Sequence, residues 1–235
     1  MAKIRQQRKQ REFVVSEEQL PEQPVIKRNT QPLAPKTENQ KRYINAIKSF
    51  KVVFGVGPAG TGKTYCAASI AAEKLESKAI ERVIITRPAV EAGESFGFIP
   101  GSLDEKYLPY LTPFLDVFEE KLGKSYTEYL IKRNVIKAVP LAFMRGLSFR
   151  DSFIMLDEAQ NVTPAQMKMF LTRIGENCTV IIDGDEAQID INGRSGLTDA
   201  IERISYIPSV KVIRFDEEDI VRSSLVKEII KSYRN

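Results

Sequence analysis

The stretch of sequence that decides the fold is Gly57-Pro58-Ala59-Gly60-Thr61-Gly62-Lys63-Thr64, which satisfies the phosphate-loop pattern G-x-x-x-x-G-K-[S/T] at every fixed position. Glycine tolerates positive φ, so such a loop can turn its backbone N–H groups towards phosphate oxygens. A valine-rich run, 51–56, precedes the loop and an alanine-rich segment, 62–75, follows it. This strand–loop–helix setting is what the motif requires, and all eight residues are predicted to bind nucleotide.

The two residues that close the loop have separate predicted tasks. Lys63 is expected to reach the β- and γ-phosphates, and the Thr64 hydroxyl is expected to ligate Mg²⁺. The helix that starts here adds the partial positive charge of its N-terminus. The alternative is a glycine turn followed by a surface lysine, and the flanking strand and helix argue against it. ATP and Mg²⁺ are therefore the predicted ligands.

Outward from the loop, strand-like and helix-like segments alternate along the chain. Strands separated by segments of helix length indicate βαβ units and a parallel sheet. We predict an α/β fold: a single P-loop domain over 36–235 with a mostly parallel sheet flanked by helices. A flexible basic arm over 1–35, which contains four prolines, precedes this domain. The expected strands are 51–56, 82–86, 153–156, 179–182 and 211–215, and the expected helices are 39–49, 62–75, 104–121, 125–132, 164–173, 196–205 and 219–233, with Thr37 or Asn39 capping the first.

Composition excludes several classes of protein. The chain is 43% hydrophobic and 28% charged, which is typical of an ordinary soluble domain, and no apolar run approaches the roughly 18 to 20 residues that cross a bilayer. Residues 1–36 hold eight basic and four acidic residues, and the remainder holds 27 of each. The folded part is therefore not a generally basic nucleic-acid binder, and any such binding would use a local patch or the arm.

The scarcity of two residue types narrows the chemistry further. The chain has no histidine, which rules out histidine as a general base or metal ligand. Cys66 and Cys178 are the only cysteines, so a disulfide framework is not expected and a reducing cytoplasm is the predicted location.

An acidic pair follows the predicted strand 153–156. An Asp at the carboxyl end of a buried strand beside a phosphate loop is the usual Mg²⁺-holding carboxylate, and this is the role predicted for Asp157. Glu158 is placed to orient or deprotonate a water molecule and, without histidine, is the best candidate for the general base. The alternative is that these two acids only cap the helix that follows.

Two glutamines complete the candidate site. Asp185 and Gln188 follow the strand 179–182, where a glutamine amide can hydrogen-bond a γ-phosphate or an attacking water; a simple acidic turn is the alternative. Gln40 precedes the phosphate loop by 17 residues, and its amide could pair with the N6/N7 edge of adenine, which would select ATP over GTP.

Taken together, these motifs resemble the PhoH family, which is similar to the first RecA-like domain of superfamily 1 helicases. The resemblance runs from about residue 36 to residue 233 in the expected order. It is carried by Thr37 with Gln40, the phosphate loop, TRPAVEAGE at 86–94, DEAQN at 157–161, G-D-x-x-Q at 184–188, LTRIG at 171–175, SGL at 195–197 and DIVR at 219–222.

The resemblance implies a RecA-like ATPase with RNA or single-stranded DNA as partner and with helicase-like activity. It also implies a homo-oligomeric ring, of which a hexamer is one form. No membrane partner is expected, because the chain lacks a long apolar run. Gln40 would contact adenine, Lys63 and Thr64 the phosphates and Mg²⁺, and Asp157 and Glu158 would act as metal ligand and base. Gln188 would sense the γ-phosphate.

Two departures from larger relatives are expected to matter. At this length we expect neither an RNA-binding appendage nor a nuclease domain, and the chain reads Arg145-Gly146-Leu147-Ser148 where relatives tend to read R-G-R-T. Superfamily 1 helicases complete the ATP site with arginines from a second RecA-like domain, and only one such domain fits here. A neighbouring subunit in a head-to-tail ring is therefore expected to supply one. Arg173 and Arg222 are the candidates, with Arg194 behind them, although each alone could be a surface ion-pair partner.

Some alternatives stay open on sequence grounds. The segment 86–101 should be a loop at the ligand edge, and contact with nucleic acid and packing between subunits are about equally well supported for it. A regulatory ATP-binding switch without nucleic-acid activity is the first competing function. A small-molecule P-loop kinase is the second, although no arginine-rich lid is evident.

Overall fold

A computed structural model describes residues 32–88 and 111–221 of the 235-residue chain. Within these ranges six strands form one sheet in the order β3-β2-β4-β5-β1-β6, and every pairing among them is parallel. This confirms the predicted α/β, RecA-like P-loop class. The strands are β1 Val52–Val56, β2 Arg82–Thr86, β3 Ile136–Ala138, β4 Ser152–Leu156, β5 Thr179–Gly184 and β6 Val210–Arg214.

Helices cover both faces of the sheet. They are α1 Glu38–Ser49, α2 Lys63–Glu76, α3 Thr112–Leu122, α4 Lys124–Lys132, α5 Pro164–Leu171 and α6 Gly196–Ile204, with short 3₁₀ turns at Leu141–Met144, Ala159–Asn161 and Glu217–Asp219. No helix within the described ranges is long and apolar enough to span a bilayer.

The two faces have separate hydrophobic cores, because successive residues of a strand point to opposite sides. In β1, Val53 lies in the core formed with α1 to α4, whereas Phe54 lies in the core formed with α5 and α6. All five residues of β1 and of β4 are buried, and so are all six of β5. Continuous burial of this kind is typical of central parallel strands and explains why these segments read as uninterrupted apolar runs.

Helix starts are fixed by side-chain caps. Thr37, one of the two predicted caps, holds α1 by accepting a hydrogen bond from the Gln40 N–H at 3.2 Å. Thr163 and Gln166 form a reciprocal capping box at the start of α5, and the Ser195 hydroxyl caps α6.

The structure differs from the sequence prediction in a few elements. Strand β3 was not predicted, because three residues at the sheet edge carry too short a pattern to recognise. Strand β5 continues two residues further than expected, to Gly184, so Asp183 belongs to the strand. The predicted helices over 104–121 and 219–233 and the arm over 1–35 lie partly outside the described residues.

Candidate functional site

The phosphate loop is held in place by contacts that only glycine permits. Gly57 has φ 143° and donates its N–H to the Gly184 carbonyl at 3.0 Å, which joins the ends of β1 and β5. A Cβ at Gly57 would lie 2.4 Å from the Phe215 carbonyl oxygen. Gly60 and Gly62 have φ near 83° and 82°, in the left-handed region. The loop geometry therefore requires the glycines of the motif.

Lys63 lies at the first position of α2 and folds over the loop. Its Nζ donates to the carbonyl oxygens of Gly57 at 2.7 Å and Pro58 at 2.8 Å, and it lies 5.9 Å from the centre of the Phe215 ring. The predicted phosphate-binding lysine thus lies directly above the loop. Thr64, the next helical residue, lines the adjoining cleft.

Two residues outside the motif hold the loop by hydrogen bonds to its carbonyl groups. The Gln40 amide Nε2 donates to the Thr61 carbonyl at 2.9 Å, and its Oε1 accepts from the Lys36 N–H at 2.7 Å. Val221 donates its N–H to the Gly60 carbonyl at 3.0 Å. Gln40 is buried but still lines the cleft, so supporting the loop is a role that the sequence did not suggest; its contact with adenine stays a prediction.

The acidic pair follows β4 as predicted. Asp157 is buried, and its Oδ2 accepts from the Arg87 guanidinium at 2.9 Å from Nε and 2.5 Å from Nη2. Its Oδ1 accepts from the Glu158 N–H at 3.0 Å. Glu158 has φ 54°, a left-handed conformation that residues other than glycine seldom adopt. Strained backbone of this kind gathers at functional sites, which agrees with the role predicted for Glu158.

Gln160 connects the acidic pair to the next strand. Its Nε2 donates to Glu158 Oε2 at 2.7 Å, and its Oε1 accepts from the Asp185 N–H at 3.0 Å. The Ser195 hydroxyl donates to the Gln160 carbonyl at 2.8 Å. Gln160 is 1% exposed, and its two hydrogen bonds fix the direction in which its amide meets the Glu158 carboxylate.

Gln188 lies in the turn after β5. Its Nε2 donates to Asp185 Oδ2 at 2.6 Å, while Asp185 Oδ1 accepts from the Ala187 N–H. The side chain of Gln188 is exposed and lines the same cleft as the phosphate loop. The position is compatible with the predicted sensor of the γ-phosphate, and that role stays a prediction.

A buried polar pair lies beneath the loop. The Tyr43 hydroxyl donates to Asp183 Oδ1 at 2.6 Å, and both side chains are excluded from water. Burial raises the pKa of the Asp183 carboxyl to about 7, against the lowering effects of the Tyr43 hydrogen bond and the Lys63 charge. A Cβ at Gly55 would lie 2.2 Å from this carboxylate, so glycine is required there as well.

A single cleft of about 840 Å³ joins these parts at the carboxyl edge of the sheet. The predicted site residues that line it are Gln40, Ala59, Gly60, Gly62, Lys63, Thr64, Asp157, Glu158 and Gln188. Arg87, Asp116 and Glu120 also line it, although they were not predicted as site residues. The described residues contain no group of three or more His, Cys, Asp or Glu side chains that could hold a metal ion. Thr64 and Asp157, the two predicted Mg²⁺ ligands, line the same cleft, and two oxygen donors are the kind of set that holds Mg²⁺ together with nucleotide phosphates.

Two of the three predicted arginines, Arg173 and Arg194, lie away from the cleft. Arg173 follows α5 at the opposite edge of the sheet, where its Nε donates to the Met169 carbonyl at 3.3 Å. Arg194 forms ion pairs with Asp199 and Glu202. Arg222 lies outside the described residues. Within one subunit neither Arg173 nor Arg194 reaches the phosphate loop.

Three contributors to the site were missed from sequence. Arg87 belongs to TRPAVEAGE, but nothing in the sequence pairs it with Asp157, which lies 70 residues further along the chain. The Tyr43–Asp183 pair joins residues 140 apart. Gln160 lay within the DEAQN motif without an assigned task. Only the motif membership of Arg87 and Gln160 signalled their importance.

Comparison with known proteins finds relatives that are described as PhoH or PhoH-like proteins. A family model described as PhoH-like protein matches residues 32–234. A PhoH-like protein of Bacillus subtilis (strain 168) is 50% identical over 200 residues, which cover 84% of this chain and 63% of that protein. Protein PhoH of Escherichia coli (strain K12) is 45% identical over 210 residues, covering 88% of this chain and 59% of that protein. The chain therefore spans less than two thirds of the length of either relative.

Solved structures with a similar arrangement are more distant. The Pif1 helicase of Candida albicans aligns with a TM-score of 0.44 at 15% identity, over 86% of this chain and 44% of that one. The UvsW helicase of bacteriophage T4 aligns with a TM-score of 0.48 at 12% identity, over 79% of this chain and 62% of that one.

Proposed function

The chain belongs to the PhoH family, and from that premise we propose that it is a Mg²⁺-dependent ATPase that acts on or with RNA or single-stranded DNA. One observation carries the proposal: the phosphate-binding lysine, the acidic pair and Gln188 all line one cleft. A phosphate loop alone would support nucleotide binding. An added carboxylate that can act on water supports hydrolysis.

The roles of the residues follow from their positions. The loop N–H groups and Lys63 would bind the phosphates, and Gln40 would keep the loop in shape while facing the base. Thr64 and Asp157 would hold Mg²⁺, which when bound neutralises charge on the phosphates. Glu158, oriented by Gln160, would accept a proton from the attacking water.

Hydrolysis should depend on Glu158 while binding does not. We expect Glu158→Gln to bind ATP within about threefold of the parent chain and to lose about 10²- to 10⁴-fold in turnover, the usual contribution of a general base. Fluorescent-nucleotide titration and phosphate release measure the two quantities. Turnover that survives the substitution would remove Glu158 from the mechanism, and loss of binding with normal folding would indicate a structural role instead.

Support for a nucleic-acid partner comes from one local concentration of charge. The segment 124–150 holds six basic residues and a single acid, Glu128, although residues 37–235 as a whole are neutral. All six are exposed, and none makes an ion pair within the described ranges. An exposed Phe143 offers a ring on which a base could stack. We call this set the basic segment; its cations are Lys124, Lys132, Arg133, Lys137, Arg145 and Arg150.

Charge reversal tests that partner. Lys137→Glu with Arg145→Glu should weaken binding of single-stranded RNA or DNA about tenfold or more and flatten its salt dependence, because phosphate contacts dominate such binding. The matched control, Lys78→Glu with Lys168→Glu, changes the same charge at exposed positions elsewhere. Unstimulated ATPase activity should be equal in both variants.

The outcomes also separate the competing functions. Strong stimulation of hydrolysis by nucleic acid supports the motor, and indifference to it supports a regulatory ATP-binding switch. Phosphate transferred to an added metabolite supports a kinase. Both cysteines are buried and free, which agrees with the cytoplasmic location that we propose.

A further inference from the structure

Arg87 is hydrogen-bonded to the Asp157 carboxylate, which the proposed function assigns to Mg²⁺. Two of its nitrogens, Nε and Nη2, donate to the same oxygen, Asp157 Oδ2. The other oxygen of Asp157 accepts from the Glu158 N–H. Each oxygen of the predicted Mg²⁺ ligand therefore already has a donor from the protein.

The pair is shielded from solvent, which makes the contact strong. The side chains of Arg87 and Asp157 are only 20% and 12% exposed. In such surroundings an ion pair is screened little by water, and removing one partner leaves a buried charge without compensation. A cation entering beside Thr64 would have to compete with a guanidinium that is already bonded.

The surroundings of Arg87 hold it in reach of the same cleft. Arg87 follows directly after β2, and its guanidinium carbon lies 5.9 Å from the centre of the Phe114 ring on α3. The Asp157 N–H donates to the Thr86 carbonyl at 3.0 Å, so the backbones of the two partners are joined as well. Arg87 lines the cleft with Lys63, which places a second cation on the path of a triphosphate.

We propose that Arg87 is a positioning residue that competes with Mg²⁺ for Asp157, so that entry of the metal–nucleotide complex and release of Arg87 are a single exchange. In the exchange the guanidinium would leave Asp157 Oδ2 for the phosphate oxygens, and the Asp157 carboxylate would then be available to hold Mg²⁺. No covalent bond changes. The inference rests on the proposed function, because it requires that the cleft receive Mg²⁺ with a nucleoside triphosphate.

The Mg²⁺ requirement of nucleotide binding tests the exchange without measuring turnover. Binding of a fluorescent ATP analogue is titrated at increasing Mg²⁺ for the full chain and for Arg87→Gln. Removing the competitor should lower the Mg²⁺ concentration at half-maximal binding about tenfold or more, the factor that one charge-assisted hydrogen bond supplies. An unchanged or higher Mg²⁺ requirement would overturn the proposal.

A double substitution separates competition from a general effect on structure. In the Asp157→Asn background Arg87 has no carboxylate to occupy, so adding Arg87→Gln should no longer change the Mg²⁺ requirement. The same shift in both backgrounds would contradict the exchange. Arg87→Lys keeps one charge and loses the second nitrogen, so it should fall between the parent chain and Arg87→Gln; it serves as the test if Arg87→Gln does not fold.

Failure of the exchange is distinguishable from failure of the function. If the parent chain binds the analogue at no Mg²⁺ concentration, the proposed function and the inference fall together. If it binds and the variants show the same Mg²⁺ requirement, only the role of Arg87 is lost.

Discussion

Asp183 shows how one side chain can affect the whole site. It lies beneath the phosphate loop, fully buried, with Tyr43 as its hydrogen-bond donor. Its carboxyl group has a pKa raised to about 7, chiefly by burial, whereas an unfolded aspartate titrates near 3.8. Around neutral pH the Asp183 side chain beneath the phosphate loop therefore changes its charge. This charge acts on the nearby Lys63.

The first prediction concerns stability against pH. The folded state holds the Asp183 proton more tightly than the unfolded state, so this group lowers the free energy of unfolding as pH rises from about 4 to about 7. Asp183→Asn keeps the acceptor for Tyr43 and removes the ionisation. The unfolding free energy of the variant relative to the parent chain should therefore increase from pH 5 to pH 8, measured by urea denaturation.

A companion substitution checks the assignment. Tyr43→Phe removes the hydrogen bond that lowers the pKa of Asp183, so the pKa should rise and the fall in stability should continue to a higher pH. A difference between Asp183→Asn and the parent chain that stays constant over the whole pH range would refute the assignment.

At the scale of elements, the unit β1–loop–α2 depends on the close approach of β6. Gly57 packs against the backbone that follows β6, and this contact, not only its φ, excludes a side chain. Gly193 also has positive φ, 101°, but a Cβ there would meet nothing within 4 Å. The two glycines therefore separate backbone strain from crowding.

The second prediction compares these glycines. Gly193→Ala should cost roughly 1–2 kcal/mol of stability from left-handed strain alone. Gly57→Ala should cost about 1–3 kcal/mol more, because the methyl group overlaps the Phe215 carbonyl. Chemical denaturation measures both, and nucleotide affinity should fall only for Gly57→Ala. Equal losses would show that the overlap is relieved by a small shift of β6.

Elements with strong patterns were predictable from sequence. The central strands read as apolar runs because both of their sides are buried, and the loop motif located the turn between β1 and α2. Strand β3 could not be predicted, because it forms through hydrogen bonds to β2 and its own three residues carry no recognisable pattern. In the same way the motifs indicated which residues gather in the cleft, but not that Arg87 bonds to Asp157, since such pairing depends on strand order.

At the scale of the whole molecule, the site faces one open cleft, and no arginine of the described residues other than Arg87 lines it. Arg173 lies at the opposite edge of the sheet. A head-to-tail contact between subunits is an arrangement that could bring such a residue to a neighbour's phosphates. The chain also spans only 63% of its Bacillus subtilis relative, so assembly and activity of the whole protein remain proposals.

The third prediction concerns assembly. Subunits kept monomeric by dilution should bind ATP but hydrolyse it far more slowly per chain, by up to about 10³- to 10⁵-fold if an arginine acts in trans. Light scattering with and without nucleotide gives the mass, and phosphate release gives the rate. In mixed assemblies, Arg173→Ala subunits should slow their neighbours. Monomers as active per chain as the assembly would rule out a shared site.

The bond from Val221 to the phosphate loop has a mechanical consequence. The Val221 N–H reaches the Gly60 carbonyl across 3.0 Å, and such a contact ceases to be a hydrogen bond by about 3.6 Å. Val221 therefore acts as a tether, and a displacement of about half an ångström is enough to detach it. Tension carried along the polypeptide to residue 221 would therefore pull directly on the Gly60 carbonyl of the phosphate loop.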